Sequence, residues 1–156
     1  MRRRKSARLL ILNPSHNVLL FRFVHKHGPL AGEDYWATPG GGLEEDETYE
    51  DAAVRELREE TGIVVDRVGS AVAQREFELR LPDGEYVVAD ERYFIIATAT
   101  PDISRDGWTA QERGVMADHK WWSLKELRET LDTVWPEDLV SILEGVSEAS
   151  HKGDPT

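Results

Sequence analysis

Three glutamates close together on one predicted helix are the clearest candidates for chemistry in this chain. Glu56 and Glu60 are four residues apart and Glu59 follows Glu56 by three, so a helix places their side chains side by side. Like charges at this spacing repel one another and destabilise an isolated helix. A hard divalent cation, which takes oxygen ligands, would remove that repulsion. The spacing therefore indicates a candidate metal site.

The competing interpretation is an ordinary solvated helix. Residues 55–60 read Arg-Glu-Leu-Arg-Glu-Glu, and such segments are common on protein surfaces, where opposite charges three or four residues apart pair with one another. Taken alone, the segment favours this interpretation. It leaves unexplained the spacing of Gly41 and Glu47 before the helix and of Gly62 after it.

The segment as a whole resembles the Nudix box, G-x5-E-x7-R-E-U-x-E-E-x-G-U, where U is a bulky aliphatic residue. Every fixed position of the box is present, as Gly41, Glu47, Arg55, Glu56, Leu57, Glu59, Glu60, Gly62 and Ile63. The preceding residues 36–40, Trp-Ala-Thr-Pro-Gly, run straight into the box, as they do in many members. The chain therefore resembles the MutT-like Nudix hydrolases.

This resemblance implies both a fold and a reaction. The fold would be α/β, a Nudix-type α/β/α sandwich with a mixed β-sheet. The reaction would be hydrolysis of a phosphoanhydride bond in a nucleoside diphosphate linked to another moiety, with Mg²⁺ as cofactor or Mn²⁺ in its place. Such an ion neutralises phosphate charge and lowers the pKa of the attacking water. Members include triphosphatases, nucleotide-sugar and ADP-ribose pyrophosphatases and dinucleoside polyphosphatases, and no residue here selects among them.

The resemblance also assigns roles within the box. The residues assigned to the metal are Gly41, through a backbone carbonyl, Glu56, Glu59 and Glu60. Of these, Glu56 and Glu60 are expected as direct ligands, and Glu59 as a ligand or as the holder of a bridging water. Arg55 is expected to orient the carboxylates through an ion pair with Glu47.

The general base has more than one candidate. In similar proteins it is a glutamate of the box, here Glu59 or Glu60, or an acid from a loop far along the chain. Here the loop candidates are Glu112 and Asp118, in the stretch before Trp121. Because loops often carry catalytic residues, Glu112 is included in the predicted catalytic set with Arg55, Glu59 and Glu60.

Other side chains are candidates for substrate contacts. Arginine binds phosphate through two parallel hydrogen bonds. The arginines considered for this role are Arg22, Arg75, Arg80 and Arg92. The sequence does not indicate which of them faces a cleft.

Composition narrows the class of protein. The 156 residues suit one domain, and 30 acidic against 19 basic residues give a net charge of −11, which disfavours nucleic-acid binding. The expected partner is a small nucleotide or diphosphate substrate. No stretch approaches the roughly 20 apolar residues of a membrane span. The chain has no cysteine, so we expect a cytoplasmic protein without disulfides. Many Nudix proteins are dimers, so a homodimer stays open, although the sequence shows no dimer seam.

Two rival functions share the same fold. One is a catalytically silent Nudix-fold module that binds or senses nucleotides, and such modules usually lose glutamates that this chain keeps. The other is an isomerase or a glycosylase-associated domain. The family's isoprenoid isomerases use a catalytic cysteine, which is missing here. Hydrolysis is therefore the preferred reading.

The box helix has readable ends. Thr48 is a predicted N-cap, with Asp51 three residues later in a near-match to a capping box. Gly62 is predicted to end the helix in a left-handed conformation. Ala53 and Leu57, one turn apart, are predicted to face the core.

The remaining elements follow from periodicity and turn signals. Strands are predicted at residues 9–12, 18–24, 35–38, around 77–81, at 86–88, 92–98 and 120–122. Residues 1–8 are read as a solvated tail, strands are expected to resume from Val64, and residues 101–117 are read as a loop. A capping box at Ser123 opens a helix with Leu131 facing inward. One domain is predicted over residues 1–156, with residues 147–156 as a disordered tail.

Overall fold

A computed structural model describes residues 1–99 and 102–152, with the backbone alone for 147–152. The strands are β1 Arg3–Leu12, β2 Val18–Val24, β3 Asp34–Ala37, β4 Gly40–Gly42, β5 Ala73–Arg80, β6 Tyr86–Ala97, β7 Met116–Trp122 and β8 Val134–Trp135. The helices are α1 Tyr49–Thr61, α2 Ala110–Val115, α3 Leu124–Glu129 and α4 Leu139–Lys152. None of the helices in this part of the chain is long and apolar enough to cross a membrane.

The strands form one mixed sheet in the order β5-β6-β1-β2-β3-β8, with β4 paired to β1 and β7 paired to β2. The β1–β6 and β3–β8 pairs are parallel, and the other pairs are antiparallel. Only Leu12 of β1 pairs with β2, whereas residues 6–8 of β1 pair with β4. This divergence places the glycine strand β4 beside the middle of β1.

Two apolar layers lie on the two faces of the sheet. On one face α1 packs Ala52, Ala53 and Leu57 against a layer that includes Ala7, Leu9, Ile11, Leu19, Phe21 and Phe94. The other layer joins α3 and α4 to the sheet and includes Leu10, Val18, Leu20, Tyr93, Leu127, Leu139 and Leu143. This alternation along β1 and β2 is what a strand buried on both faces requires. The predicted α/β/α sandwich with a mixed sheet is confirmed.

The prediction of a solvated tail at residues 1–8 was wrong. Residues 3–12 pair in parallel with residues 88–97 of β6. Several of its basic side chains pair with acidic residues, for example Arg2 with Glu85 and Arg8 with Glu91. This segment of charged residues is therefore a strand at the polar end of the sheet, where cross-strand ion pairs take the place of apolar packing.

Three further expectations differ from the structure. Strand structure resumes at Ala73, whereas Val64 lies exposed in the connection before it. The predicted loop 101–117 contains α2 and the start of β7, although its first residue lies outside the described residues. Leu131 is exposed, because α3 ends at Glu129 before the helical spacing reaches it.

The C-terminal prediction stays a prediction. The backbone of α4 continues to Lys152, and the side chains of residues 147–152 and all of residues 153–156 lie outside what is described.

Candidate active site

Helix α1 is held at both ends by the caps that the sequence predicts. The Thr48 side chain accepts a 3.0 Å hydrogen bond from the Asp51 backbone N–H. Gly62, with φ of 80°, donates its N–H to the Arg58 carbonyl at 2.9 Å, and residues with a Cβ rarely adopt this conformation. With Ala53 and Leu57 fixed in the core, the glutamate face of α1 is directed at the glycine strand β4.

The glycine strand packs directly on two of the glutamates. The Gly40 N–H donates a 2.8 Å hydrogen bond to Glu60 Oε2. A Cβ placed on Gly41 would lie 2.5 Å from Glu56 Oε1, closer than real side chains approach. A side chain at position 41 would therefore displace the Glu56 carboxylate from its position against β4.

Arg55 links three parts of the box: the glycine strand β4, the turn before α1 and helix α1 itself. Its guanidinium donates two hydrogen bonds of 2.8 Å to Glu47, one of 2.9 Å to the Gly42 carbonyl, and bonds of 2.9 and 3.1 Å to Glu56 and Glu59. The expected Arg55–Glu47 ion pair is thus present. Glu47 lies in the turn before α1, and this position lets its carboxylate reach Arg55. The same carboxylate accepts a hydrogen bond from the Glu44 N–H at 2.9 Å.

The electrostatic environments of these carboxylates differ. The Arg55 hydrogen bonds hold the pKa of Glu47 below its ordinary value. Burial raises the pKa of Glu60 well above its ordinary value, and the charge of Glu56 raises it further. Burial also raises the pKa of Glu56, against the opposing effect of Arg55. Glu56 and Glu60 are only 8% and 4% exposed, so α1 presents two buried carboxylates whose charge the described residues do not fully compensate.

Glu112 lies near this pair. Its charge raises the pKa of both Glu56 and Glu60, although burial is the larger cause in each case. Its backbone N–H and side chain form a capping box with Thr109 that starts α2. Asp118, the other loop candidate, is exposed on β7 opposite Arg22, and its carboxylate accepts the His119 N–H at 2.8 Å.

A docking contact that the sequence analysis missed brings α2 to the site. The indole N–H of Trp108 donates a 2.8 Å hydrogen bond to the Glu60 carbonyl. A Cβ on Gly107 would lie 2.5 Å from the Glu59 carbonyl oxygen, so the loop backbone rests on the end of α1. The Asp106-Gly107-Trp108 sequence signals a turn but does not signal its partner.

The described residues contain no group of three or more His, Cys, Asp or Glu side chains placed to hold a metal ion. The Glu59 side chain is 38% exposed, in contrast to the buried Glu56 and Glu60, although one Arg55 nitrogen donates to both Glu59 and Glu56. Magnesium needs only one or two carboxylates and completes its shell with waters and substrate oxygens. Glu56, Glu60 and a backbone oxygen of the glycine turn form a donor set of this chemistry, so the residues present fit the ion.

The four arginines considered for phosphate binding all have partners. Arg22 pairs with Asp34 and Arg75 with Asp138. The other two lie over aromatic rings, Arg92 over Tyr49 and Arg80 over Tyr86.

Comparisons with known proteins agree with this geometry. A family model described as the NUDIX domain matches residues 2–142. The crystal structure of a MutT protein from Methanosarcina mazei Go1 is 22% identical, with a TM-score of 0.69 and 96% of each chain covered. No curated protein sequence matches.

Two other solved structures share the fold. The NUDIX domain of Shewanella oneidensis NrtR, complexed with ADP ribose, is 19% identical with a TM-score of 0.64, covering 96% of this chain and 90% of its own. A C. elegans Ap4A hydrolase is 19% identical with a TM-score of 0.63, covering 96% of this chain and 98% of its own. At these identities the likeness shows the fold.

Proposed function

The chain belongs to the Nudix family, and from this premise we propose that it is a metal-dependent hydrolase of a phosphoanhydride bond. The bond would lie in a nucleoside diphosphate linked to another moiety. One observation carries the proposal: Glu56 and Glu60 are buried together against a side-chain-free glycine strand, with raised pKa values. Perturbed carboxylates of this kind concentrate at functional sites.

Each residue of the box has a task in this proposal. Glu56, Glu60 and the Gly41 carbonyl would hold the ion, and Glu59 would be a further ligand or would hold a bridging water. When bound, Mg²⁺ neutralises the pyrophosphate and activates a water. Arg55 keeps Glu56 and Glu59 oriented, because its hydrogen bonds to Glu47 and the Gly42 carbonyl fix the guanidinium.

We assign the proton-accepting role to Glu112. In the described part of the chain no Lys, Arg or His nitrogen lies within 4 Å of its carboxylate, whereas Arg55 lies within hydrogen-bond distance of Glu59. Trp108 and Gly107 anchor the segment that carries Glu112 on the end of α1, which sets its distance from the buried pair. A general base must lie near the attacking water, and the anchoring of this segment on α1 supports the assignment of Glu112.

The substrate class rests on the family and on its neighbours. The names of two neighbours mention ADP ribose and Ap4A, both nucleotide compounds with phosphoanhydride links. This supports a nucleotide-derived substrate in general. The cytoplasmic location and the homodimer stay predictions.

The test is a screen of nucleotide derivatives with Mg²⁺ or Mn²⁺, reading released phosphate or nucleoside monophosphate. We expect turnover that stops with a chelator and returns with the metal. Glu56→Gln should abolish it, whereas Glu50→Gln, an exposed acid on the same helix, should not. Turnover that persists in chelator would refute the metal role.

The alternative is a catalytically silent nucleotide-binding module, and the NrtR NUDIX domain with ADP ribose bound shows that this fold accommodates such a ligand. It predicts binding of ADP-ribose without products at any metal concentration. The retained glutamates favour hydrolysis over this alternative.

A further inference from the structure

One arginine at the start of β1 differs from its neighbours. Arg2 pairs with Glu85, Arg3 with Glu76 and Asp90, and Arg8 with Glu91 at 2.9 Å. Arg4 donates from Nη1 to the Ser6 hydroxyl at 3.2 Å. Among residues 1–99 and 102–146, no carboxylate oxygen lies within 4 Å of the Arg4 guanidinium.

The Arg4 side chain is partly shielded from solvent. Burial lowers its pKa, and the neighbouring Arg8 lowers it further, whereas the charges of Glu91 and Glu56 oppose this. Arginine nevertheless stays protonated in proteins. A shielded cation without an anionic partner costs free energy, so an anion from outside the described chain would stabilise it.

The free edge of the guanidinium faces the glycine strand. A Cβ placed on Gly42 would lie 3.6 Å from Arg4 Nη2 and 3.7 Å from Nε, whereas one on Gly41 would meet Glu56. The Nε–Nη2 edge is one of the edges that can form two parallel hydrogen bonds to an oxyanion. Because Gly41 and Gly42 are consecutive residues of β4, Arg4 and Glu56 lie on opposite sides of this strand, and neither glycine carries a side chain.

An open cleft of about 540 Å³ lies beside the C-terminal end of the glycine strand β4. Residues 2–5 form one wall, and residues 42–47, the opening of the box, form the other. The box wall carries Glu44, Glu45, Asp46 and Glu47, so an anion entering the cleft is directed to the basic wall.

We propose that Arg4 binds a terminal phosphate of the substrate, next to the phosphate that a metal ion at Glu56 would bind. Arg4 would thereby select nucleoside triphosphate-type substrates over those ending in a neutral sugar. The proposal rests on the proposed function and adds the identity of the group beyond the scissile anhydride. In this proposal the phosphate chain would pass over β4, where Gly41 and Gly42 present no side chain to it.

The test compares two substrates that share ADP and differ beyond it. ATP ends in a phosphate, and ADP-ribose ends in a neutral sugar; GTP and GDP-mannose form a second pair. Arg4→Met should raise KM for the triphosphate by about tenfold to a hundredfold and leave KM for the sugar substrate within twofold. Arg4→Lys should recover only part of the loss, because it lacks the planar fork. Arg2→Met, which removes a charge from the same wall but one that Glu85 already pairs, is the control.

A KM change in Arg4→Met no larger than that in Arg2→Met, or an equal change for both substrates, would overturn the proposal and leave hydrolysis standing. If the wild type turns over neither pair, the proposed function fails for these substrates, and calorimetry with inorganic tripolyphosphate and Mg²⁺ decides the role of Arg4. Loss of tripolyphosphate binding in Arg4→Met but not in Arg2→Met supports the assignment, and unchanged binding refutes it. Melting temperatures of all variants show that each is folded.

Discussion

Glu47 and Glu60 stand at opposite ends of the same motif and have opposite electrostatic environments. Glu47 accepts two hydrogen bonds from the Arg55 guanidinium, and its pKa is lowered. Glu60 accepts one from the neutral Gly40 N–H, and its pKa is raised. Burial also differs between them: Glu60 is buried, and burial is the main cause of its raised pKa, whereas the Glu47 side chain keeps 13% of its surface exposed.

A second difference is where the compensating charge comes from. The partner of Glu47 belongs to the chain, so this carboxylate stabilises the folded state. Glu60 has no cation within 4 Å among the described residues, so its ionised form opposes folding until a ligand supplies positive charge. Of these two acids in one motif, the buried and uncompensated one, Glu60, is the better candidate for function.

The variant with the largest expected effect is Glu60→Gln, which tests the contrast between Glu47 and Glu60. We expect activity to fall on the order of a thousandfold, because a metal ligand is lost. The metal-free variant should nevertheless melt a few degrees higher than the wild type, since the amide still accepts the Gly40 N–H and no buried charge remains. Calorimetric melting in chelator, beside a turnover assay, measures both effects.

Glu47→Gln is the matched control for stability. It removes the charge that Arg55 compensates, so its melting temperature should fall. If both glutamine variants melt lower by similar amounts, the contrast between the two carboxylates is wrong.

A second prediction concerns Glu112, the acid outside the box. Glu112→Gln should lower kcat by about a hundredfold with little change in KM, as expected for loss of a general base. Asp118→Asn, an exposed acid on β7, should keep kcat within a factor of about two. Steady-state kinetics of both variants decides between them, and an unchanged kcat in Glu112→Gln would return the role to a glutamate of the box.

The sequence predicted the local features of this site better than its long-range contacts. The caps at Thr48 and Gly62 and the proximity of Glu56 to Glu60 follow from helix periodicity, which depends only on nearby residues. The Trp108–Glu60 hydrogen bond joins residues 48 apart in sequence, and no spacing rule predicts it.

The N-terminal strand shows the same limit. Residues 2–5 read as a charged tail, because their partners, among them Glu76, Glu85 and Asp90, become visible only when β5, β6 and β1 are aligned. Apolar periodicity predicts strands where the sheet is covered, and it fails where cross-strand ion pairs replace the core.

A third prediction removes the cation from the compensated side. Arg55→Met should destabilise the protein by about 3 kcal/mol, because it leaves Glu47 shielded and unpaired. Arg58→Met, at an exposed position of the same helix, should change the free energy of unfolding by less than about 0.5 kcal/mol. The double variant Glu47→Gln/Arg55→Met should lose clearly less than the sum of the single losses in urea unfolding. Additive losses would show that the pair is not coupled.

The smallest expected effect separates the two carboxylates by pH. The folded-state pKa of Glu47 lies below its ordinary value of 4.5, so the stability that Glu47 contributes is present above that value and is lost as pH falls through the folded pKa. The folded-state pKa of Glu60 lies above 4.5, so the metal-free protein loses stability as pH rises from 4.5 to that folded pKa.

Urea unfolding in chelator across this range should therefore show the stability of the wild type falling relative to Glu60→Gln as pH rises. One proton limits the slope to about 1.4 kcal/mol per pH unit. Relative to Glu47→Gln, the wild type should instead gain stability with rising pH below 4.5. Added Mg²⁺ should flatten the pH dependence of the stability difference between the wild type and Glu60→Gln. The corresponding difference for Glu47→Gln should not change, because Arg55 already compensates the charge of Glu47. If both stability differences change with pH in the same direction, the electrostatic contrast between Glu47 and Glu60 is wrong.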